Sequence, residues 1–271
     1  MENVAVIMSV YRSDCLSDLM VAVNSILGQT YKNIHLYLFR DGEVPENIQS
    51  YLDTISENDQ VYLYQSPSNN GLAKALNKLI DRVVSSKDYA FVARMDSDDI
   101  SRPARIERQV DFLRRNPDVD VCGTSCKEFG ASFALAEKHL PTTHLELLEF
   151  SITRCPFIHP TVMFRIRVFD SGIRYPTETA FTEDMALWLE LLTQGYKFSN
   201  INEILLDYRL NENTIKRRKG LDKAISEVKV RLLHMVKLER ISIKSVLLIL
   251  SRLAFHLLPN SLMRLAYKNA R

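Results

Sequence analysis

The sequence predicts an α/β fold in which a mostly parallel sheet is flanked by helices and followed by a basic, amphipathic helical appendage. Short apolar runs that suit buried strands alternate with helical patterns over the first hundred residues, which indicates a parallel sheet with helices on both faces. After about residue 212, apolar residues recur at helical spacing with basic residues between them. These changes divide the chain into segments 1–100, 101–212 and 213–271.

The first hundred residues alternate regularly between strand and helix patterns. Apolar runs predict strands over 4–10, 34–39, 61–65 and 89–95. Apolar residues at helical spacing predict helices over 16–27, 48–55 and 72–84, with Ser13 or Asp14 as the N-cap of the first. Asp41 and the acidic cluster that starts at Asp96 both follow predicted strands. Ligands bind beyond the carboxyl ends of the strands in such sheets, so both positions are candidate site residues.

The pattern becomes less regular after Pro103. This proline suits the first turn of a helix that runs to about Arg115. Apolar runs predict strands over 119–126 and 161–164, while 129–143 is expected to be irregular. Helices are expected over 145–151 and over 183–193, the second ending before Gly195.

Bulk properties exclude several classes of protein. The 271 residues are 46% hydrophobic and 25% charged, as in globular proteins and unlike disordered chains. Cys122 and Cys126 are spaced too widely for a redox pair, and four cysteines are too few for a disulfide framework. Neither a signal peptide nor a stretch of about 18 apolar residues is recognised. We therefore expect a cytosolic protein with reduced thiols.

Charge is distributed unevenly along the chain. Residues 215–271 contain 14 Lys and Arg against 3 Asp and Glu, a net charge of +11, whereas residues 1–214 carry −9. A basic segment on an acidic body is typical of a surface that faces lipid headgroups or nucleic acid. Because its basic residues interleave with apolar ones, residues 216–268 are predicted to lie on an anionic membrane surface. The alternative is packing against the rest of the chain or against a second subunit, as in a homodimer.

An acidic cluster, Asp96-Ser97-Asp98-Asp99, directly follows the predicted strand at 89–95. Mg²⁺ and Mn²⁺ prefer oxygen ligands and commonly take one or two carboxylates, with substrate phosphates and water completing the shell. Aspartates at positions i and i+2 just past a strand are close enough to hold a metal–diphosphate complex. The alternative interpretation is an exposed acidic turn or a helix cap.

Two other segments have both a functional and a structural interpretation. Segment 70–77 opens a helix after a glycine-containing turn. In the functional interpretation, phosphate binds at the helix N-terminus with help from Lys74. In the structural interpretation, the segment is a capped, tightly packed helix. Glu183 and Asp184 begin another helix. One of these carboxylates can act as a general base, or both can merely stabilise the helix dipole.

Taken together and in order, these segments resemble glycosyltransferase family 2, whose fold is the Rossmann-like GT-A fold. The matching motifs are Ser9-Val10-Tyr11, Asp41-Gly42, segment 70–77, the acidic cluster, His159-Pro160 and Thr182-Glu183-Asp184. The stretch 95–109, followed by Phe112-Leu113 and Asn116-Pro117, is similar to bacterial O-antigen and exopolysaccharide enzymes of that family. The resemblance covers about residues 3–210. It implies that 1–100 binds the nucleotide-sugar and that 101–212 binds the acceptor and carries the catalytic base.

The resemblance also implies which residues hold the donor. Nucleotide contacts would come from Ser9, Val10, Tyr11, Asp41, Asn70, Gly71, Lys74, Asp96 and Ser97. Among these, Asp41 would read the edge of a uracil-type base. Asp98 would bind Mn²⁺ or Mg²⁺ together with Asp96 and Asp99. Many relatives have two aspartates where this chain has Arg40-Asp41, so recognition of the base would rest on one carboxylate.

For catalysis the resemblance implies an inverting, single-displacement reaction. Asp184, oriented by Glu183, would deprotonate the acceptor hydroxyl, which attacks the anomeric carbon opposite the metal-bound diphosphate. His159 and Trp188 are further candidates for acceptor contact, with a structural histidine and a core tryptophan as the alternatives. The Gln-x-x-Arg-Trp motif of processive relatives is absent, which favours one transfer per binding event.

The sequence thus predicts a metal-dependent, non-processive hexosyltransferase. By resemblance, its donor is UDP-glucose or UDP-galactose. Its acceptor is a saccharide on a polyprenyl diphosphate, at the inner face of the bacterial plasma membrane, in lipopolysaccharide or other surface polysaccharide biosynthesis. Two alternatives are a nucleotide-sugar-binding protein without catalysis and a nucleic-acid-associated protein that uses the basic segment. That segment offers only Phe255 and Tyr267 for stacking on bases, so nucleic acid is not expected.

Overall fold

Eight strands of the described residues form one mixed sheet. The computed structural model describes residues 2–179, 182–212 and 221–257, with side chains in the last range described for 224–251. The strands are β1 (Asn3–Val10), β2 (Ile34–Asp41), β3 (Val61–Ser66), β4 (Tyr89–Arg94), β5 (Ile100–Ser101), β6 (Val121–Phe129), β7 (Met163–Arg165) and β8 (Phe198–Arg209). Their order in the sheet is β3-β2-β1-β4-β7-β6-β8-β5. Strands β1 to β4 are parallel, whereas β7 runs antiparallel to both β4 and β6.

Helices cover both faces of this sheet. They are α1 (Leu16–Leu27), α2 (Glu46–Ile55), α3 (Leu72–Ser86), α4 (Arg105–Arg115), α5 (His144–Thr153), α6 (Arg167–Asp170), α7 (Glu183–Thr193), α8 (Leu221–Lys237) and α9 (Ile243–Leu257). The first, second and fourth share a core with one face, and α3, α5, α6 and α7 share a core with the other. The predicted α/β class is confirmed.

Strand β1 lies at the centre of the parallel part and shows why its sequence is continuously apolar. It pairs with β2 on one side and β4 on the other. Val4, Val6 and Met8 join one core, and Ala5 and Ile7 join the other, so side chains of both orientations are buried. A strand covered on both faces needs apolar residues at every position, which is the pattern that predicted it.

Several details of the sequence prediction are wrong or incomplete. The N-cap of α1 is Cys15, without a side-chain cap, rather than Ser13 or Asp14. Pro103 precedes α4, which begins at Arg105. Strand β8 was not predicted at all. It is long, but polar and exposed positions interrupt its apolar residues, and its pairing with β6 shifts register twice.

Segments 1–100 and 101–212 both contribute strands to the one sheet, because β4 pairs with β7. The predicted divisions near residues 100 and 212 stay predictions. The C-terminal helices are present, with α8 packed against α5 and α7, and α9 packed against α5 and α8. The basic run 216–219 and residues 258–268 lie outside the described residues.

One basic residue of the C-terminal segment is buried rather than placed on the predicted basic face. Arg231 is 2% exposed, and its Nε donates to Glu227 at 3.1 Å. Its guanidinium also donates to the carbonyl oxygens of Ser151 at 3.0 Å and Ile152 at 3.3 Å, near the C-terminus of α5. Carbonyl groups at a helix end have no partner within the helix, so Arg231 supplies one and joins α8 to α5.

Replacing Arg231 should therefore destabilise the protein far more than replacing its exposed neighbour. The Arg231→Met variant removes the hydrogen bonds that Arg231 donates to the α5 carbonyl oxygens and to Glu227, and we expect it to lose about 2–4 kcal/mol of unfolding free energy. The matched control, Lys229→Gln on the exposed side of α8, should change it by less than about 0.5 kcal/mol. Urea unfolding followed by circular dichroism measures both. Equal losses in the two variants would contradict this role of Arg231.

Candidate active site

The loop after β1 and the acidic cluster after β4 are joined by one side chain. Oδ2 of Asp14 accepts hydrogen bonds from the backbone N–H of Tyr11 and from the hydroxyl of Ser97, each at 3.0 Å. Ser9 and Tyr11 are partly exposed here, whereas the side chain of Val10 is fully buried, so only its backbone can face a ligand. Sequence reasoning assigned Asp14 to a helix cap and missed this bridge.

Asp41, at the end of β2, holds the start of α3. Its Oδ1 accepts the N–H of Asn70 and its Oδ2 accepts the N–H of Gly71, both at 2.8 Å, and the residue is 3% exposed. Gly71 has a φ of +90°, which favours glycine at this turn. A cleft of about 380 Å³ lies beside Asp41 and Glu43. Both oxygens of Asp41 already accept backbone hydrogen bonds, which gives this residue a structural role. Recognition of a base by Asp41 stays a prediction.

A pair of variants separates these two roles of Asp41. The Asp41→Asn variant turns one acceptor into a donor that faces a backbone N–H, and we expect a loss of about 1–3 kcal/mol of unfolding free energy. Glu43→Gln also removes a charge from the cleft, but its side chain is exposed, so stability should change by less than about 0.5 kcal/mol. Urea unfolding gives stability and calorimetry gives the affinity for UDP. Weaker UDP binding by Asp41→Asn at unchanged stability would refute the structural role.

The acidic cluster has the composition and spacing of a cation site. Carboxylate oxygens of Asp96, Asp98 and Asp99 lie within 4.8 Å of one another. Burial, followed by the charges of Asp96 and Asp14, raises the pKa of Asp98 to about 7. Asp99 is fully buried, and its Oδ2 has no hydrogen-bond partner among the described residues. A divalent cation would satisfy that oxygen and relieve the repulsion, so these residues fit Mg²⁺ or Mn²⁺.

Three arginines surround the cluster, and the sequence analysis assigned a role to none of them. Arg94 is buried and forms an ion pair with Asp96. Arg105 is also buried, which lowers its pKa to about 10, so it remains protonated at neutral pH. Arg209, at the end of β8, donates its backbone N–H to Asp99 Oδ1 at 2.7 Å and its Nε to the carbonyl of Asp98 at 2.8 Å. For Arg94 the sequence signal was an arginine inside an apolar strand, beside the acidic cluster.

The predicted catalytic base and the acidic cluster act electrostatically on the same buried tyrosine. Glu183 and Asp184 begin α7 and are partly exposed, and Oδ1 of Asp184 accepts the N–H of Met185 at 2.7 Å. Burial raises the pKa of Tyr175. Beyond burial, Arg94 lowers that pKa, and Asp184, Asp96 and Glu183 raise it. Carboxylates of both groups therefore raise the pKa of Tyr175.

His159, which is partly buried, forms a pair with the fully buried Tyr175. Nε2 of His159 lies 2.9 Å from the hydroxyl of Tyr175. Burial, helped by the positive charge of Arg94, holds the pKa of His159 well below its usual value, so the ring is neutral at neutral pH. Acceptor contact by His159 stays a prediction, and a neutral ring suits hydrogen bonding better than ion pairing.

Trp188 does not reach a surface where an acceptor could bind. It is fully buried, and its ring packs against Phe157, Phe164 and Phe198 with centroid distances of 5.0 to 6.2 Å. The sequence analysis placed Trp188 among the candidate acceptor residues. Trp188 lies four residues after Asp184 on α7, and its side chain points into the core. The alternative interpretation, a core tryptophan, therefore fits the structure.

Comparison with known proteins assigns the family. The family model described as glycosyl transferase family 2 matches residues 5–172, more than half of the chain. The chain belongs to glycosyltransferase family 2. The predicted family resemblance is confirmed, and the protein is an enzyme that transfers sugars.

Relatives of this glycosyltransferase act in polysaccharide biosynthesis. It is 32% identical over 273 residues to the UDP-Gal:alpha-D-GlcNAc-diphosphoundecaprenol beta-1,3-galactosyltransferase of Escherichia coli, covering 97% of this chain and 94% of that protein. It is 27% identical over 267 residues to the amylovoran biosynthesis glycosyltransferase AmsE of Erwinia amylovora, covering 98% of both. The S. aureus TarS 1–349 structure in complex with UDP-GlcNAc superposes with a TM-score of 0.66 at 16% identity, covering 94% of this chain and 72% of TarS 1–349. This likeness shows that the fold is of the GT-A type.

Proposed function

We propose that this glycosyltransferase transfers a hexose from a UDP-sugar to a saccharide carried on a polyprenyl diphosphate, one sugar per binding event and with inversion at the anomeric carbon. The observation that carries the proposal is the carboxylate cluster beyond β4, which includes the unpartnered buried oxygen of Asp99. The Escherichia coli relative, named for a UDP-galactose donor and a diphosphoundecaprenol-linked acceptor, supports the substrate classes.

Each carboxylate group has a separate role in this proposal. Asp98, with Asp96 and Asp99, would hold Mn²⁺ or Mg²⁺. When bound, such an ion supplies positive charge that stabilises the departing diphosphate. Arg209 fixes the backbone of the cluster, and Asp14 fixes the neighbouring loop against it. Asp184 takes the proton of the acceptor hydroxyl as that oxygen attacks the anomeric carbon, and Glu183 orients Asp184.

The activity is tested with purified protein and defined substrates. Release of UDP is measured with UDP-galactose or UDP-glucose and Mn²⁺, with and without a GlcNAc-diphospho-lipid acceptor of shortened chain, and the product is identified by mass spectrometry and by the configuration of its new linkage. We expect acceptor-dependent release that stops when EDTA is added. A product with retained anomeric configuration, or release that is independent of the acceptor, would contradict the proposal.

The proposed location is the inner face of the plasma membrane, and the support is an exposed surface on the C-terminal helices. Large apolar residues that are at least 42% exposed there are Ile225, Leu233, Val236, Ile241, Ile243, Leu247, Leu248 and Leu250. Lys229, Lys237 and Lys244 are exposed among them. No described helix has the length and apolar character that crossing a bilayer requires. A surface of this composition suits shallow insertion between anionic headgroups.

Sedimentation with vesicles tests this surface. We expect the full chain to bind vesicles that contain anionic phospholipid, and the Ile241→Gln/Ile243→Gln/Leu247→Gln variant to bind at least about tenfold more weakly, because three exposed apolar side chains no longer enter the bilayer. The control is Met20→Gln, which replaces an exposed apolar residue of α1. Equal binding by the triple variant and the wild-type chain would contradict the membrane proposal.

A further inference from the structure

A second cleft lies next to the loop of residues 66–70. It has a volume of about 510 Å³ and is formed by α3 and β3, with Tyr64 and Asn77 in its lining. The sequence analysis considered Asn70 and Lys74 of this lining, both as contacts to the nucleotide, and gave no role to Lys78 or Arg82. The cleft is separate from the one beside Asp41 and Glu43, although Pro67 contributes to both.

Three cations line the cleft without counter-charges. Lys74, Lys78 and Arg82 follow one another at four-residue spacing, so they lie on one side of α3, and all three are exposed. Among the described residues no ion pair involves them. The guanidinium of Arg82 lies 5.2 Å from the ring centroid of Tyr64, which directs it along the wall of the cleft. The one acidic residue of the lining, Asp81, is paired with Arg174 at 2.7 Å.

The wall of this cleft is tied to the acceptor side of the candidate active site. Asn77 holds the backbone of Tyr175 through two hydrogen bonds of 2.8 Å, one to its carbonyl and one from its N–H. Tyr175 in turn contacts His159, and its pKa responds to Asp184. A ligand in the cleft would therefore lie beside the helix that holds Tyr175, the hydrogen-bond partner of His159.

We propose that Lys74, Lys78 and Arg82 bind the diphosphate of the lipid-linked acceptor. The proposal rests on the proposed function for the class of acceptor. A diphosphate diester carries two negative charges, and a row of uncompensated cations in a concave surface suits such a group. The donor also contains a diphosphate, but the acidic cluster already offers a metal site for it. Binding of the acceptor diphosphate here would leave its saccharide free to approach Asp184.

The test measures binding without turnover. The probe is farnesyl diphosphate, a soluble prenyl diphosphate, titrated by calorimetry in EDTA so that no metal-dependent donor site contributes. The variant is Lys78→Gln/Arg82→Gln. The control is Arg115→Gln/Lys127→Gln, which removes two exposed positive charges from α4 and β6. We expect the first variant to bind at least about tenfold more weakly and the control to stay within about twofold of wild type, with thermal unfolding confirming that both are folded.

A parallel titration with UDP and Mn²⁺ distinguishes the two sources of a diphosphate. Unchanged UDP affinity in the Lys78→Gln/Arg82→Gln variant supports the acceptor as the ligand. If that variant instead loses affinity for UDP and keeps it for farnesyl diphosphate, the cleft belongs to the donor and the proposal is overturned. Equal binding of farnesyl diphosphate by both variants also overturns it. The wild-type chain could also bind farnesyl diphosphate through Lys78 and Arg82 and yet transfer no sugar. That result would support the cleft as a diphosphate site and refute the proposed function.

Discussion

The Asp184→Asn variant is expected to transfer sugar about 10²- to 10⁴-fold more slowly than the wild-type enzyme, which is the usual contribution of a general base. Asparagine has nearly the same shape as aspartate, and its carbonyl oxygen can still accept the N–H of Met185, so the start of α7 should keep its structure. Asparagine cannot take a proton from an attacking hydroxyl. The loss should therefore appear in turnover, with the affinity for UDP and Mn²⁺ within about twofold of wild type.

A neighbouring variant controls for the removal of a negative charge from α7. Glu190 lies on the same helix and is exposed, so Glu190→Gln should leave both turnover and UDP affinity unchanged. Transfer is followed by UDP release with the lipid-diphosphate acceptor, and binding is followed by calorimetry. Near-wild-type turnover in Asp184→Asn would remove Asp184 as the base. A loss of UDP affinity equal to the loss of turnover would place Asp184 at the donor instead.

Much of the fold could be predicted from the sequence because the parallel strands are covered on both faces. Such a strand needs apolar residues at consecutive positions, as in β1, and this pattern is hard to mistake for a loop. The sequence of strand β8 lacks this continuous apolar pattern. Its residues alternate irregularly between buried and exposed, since its register against β6 shifts, and the shift is a property of the pairing and not of the local sequence.

The predicted site positions follow from the same rule, but their partners do not. Residues at the ends of parallel strands meet at one edge of the sheet, which is why Asp41 and the Asp96–Asp99 cluster could be selected. The hydrogen bond between Asp99 and Arg209 joins residues far apart in the chain. No local pattern encodes such a contact, so the roles of Arg209 and of Asp14 became visible only in three dimensions.

The C-terminal helices show a similar limit. Apolar and basic residues at helical spacing predicted amphipathic helices, and helices are present. The pattern cannot tell which basic residue faces solvent when a neighbouring helix offers carbonyl groups to bind. Lys229 is exposed, whereas Arg231, two positions later, is buried at the end of α5. Net charge alone therefore overstates the basic character of the surface.

The Asp98→Asn variant is expected to affect stability and activity in opposite directions. Burial, followed by repulsion from Asp96 and Asp14, raises the pKa of the Asp98 carboxyl to about 7, so at pH 8 its charge is held in an unfavourable place. A carboxyl whose pKa is higher in the folded state destabilises that state increasingly as the pH rises from about 4 to about 7. Without metal, the unfolding free energy of the variant should therefore be about 1–3 kcal/mol higher than that of the wild-type chain, as measured by urea unfolding.

With Mn²⁺ and UDP present, the order should reverse. The wild-type enzyme gains stability because the ligands bind only the folded state, while the Asp98→Asn variant lacks a charged ligand for the ion and should gain little. Its rate of transfer should fall by about 10³-fold or more, because the departing diphosphate is no longer stabilised. Asp88→Asn, an exposed charge at the opposite end of β4, serves as the control. Mn²⁺-dependent stabilisation of the Asp98→Asn variant equal to that of the wild-type enzyme would show that the ion binds elsewhere, and the cluster beyond β4 would then lose its proposed part in the reaction.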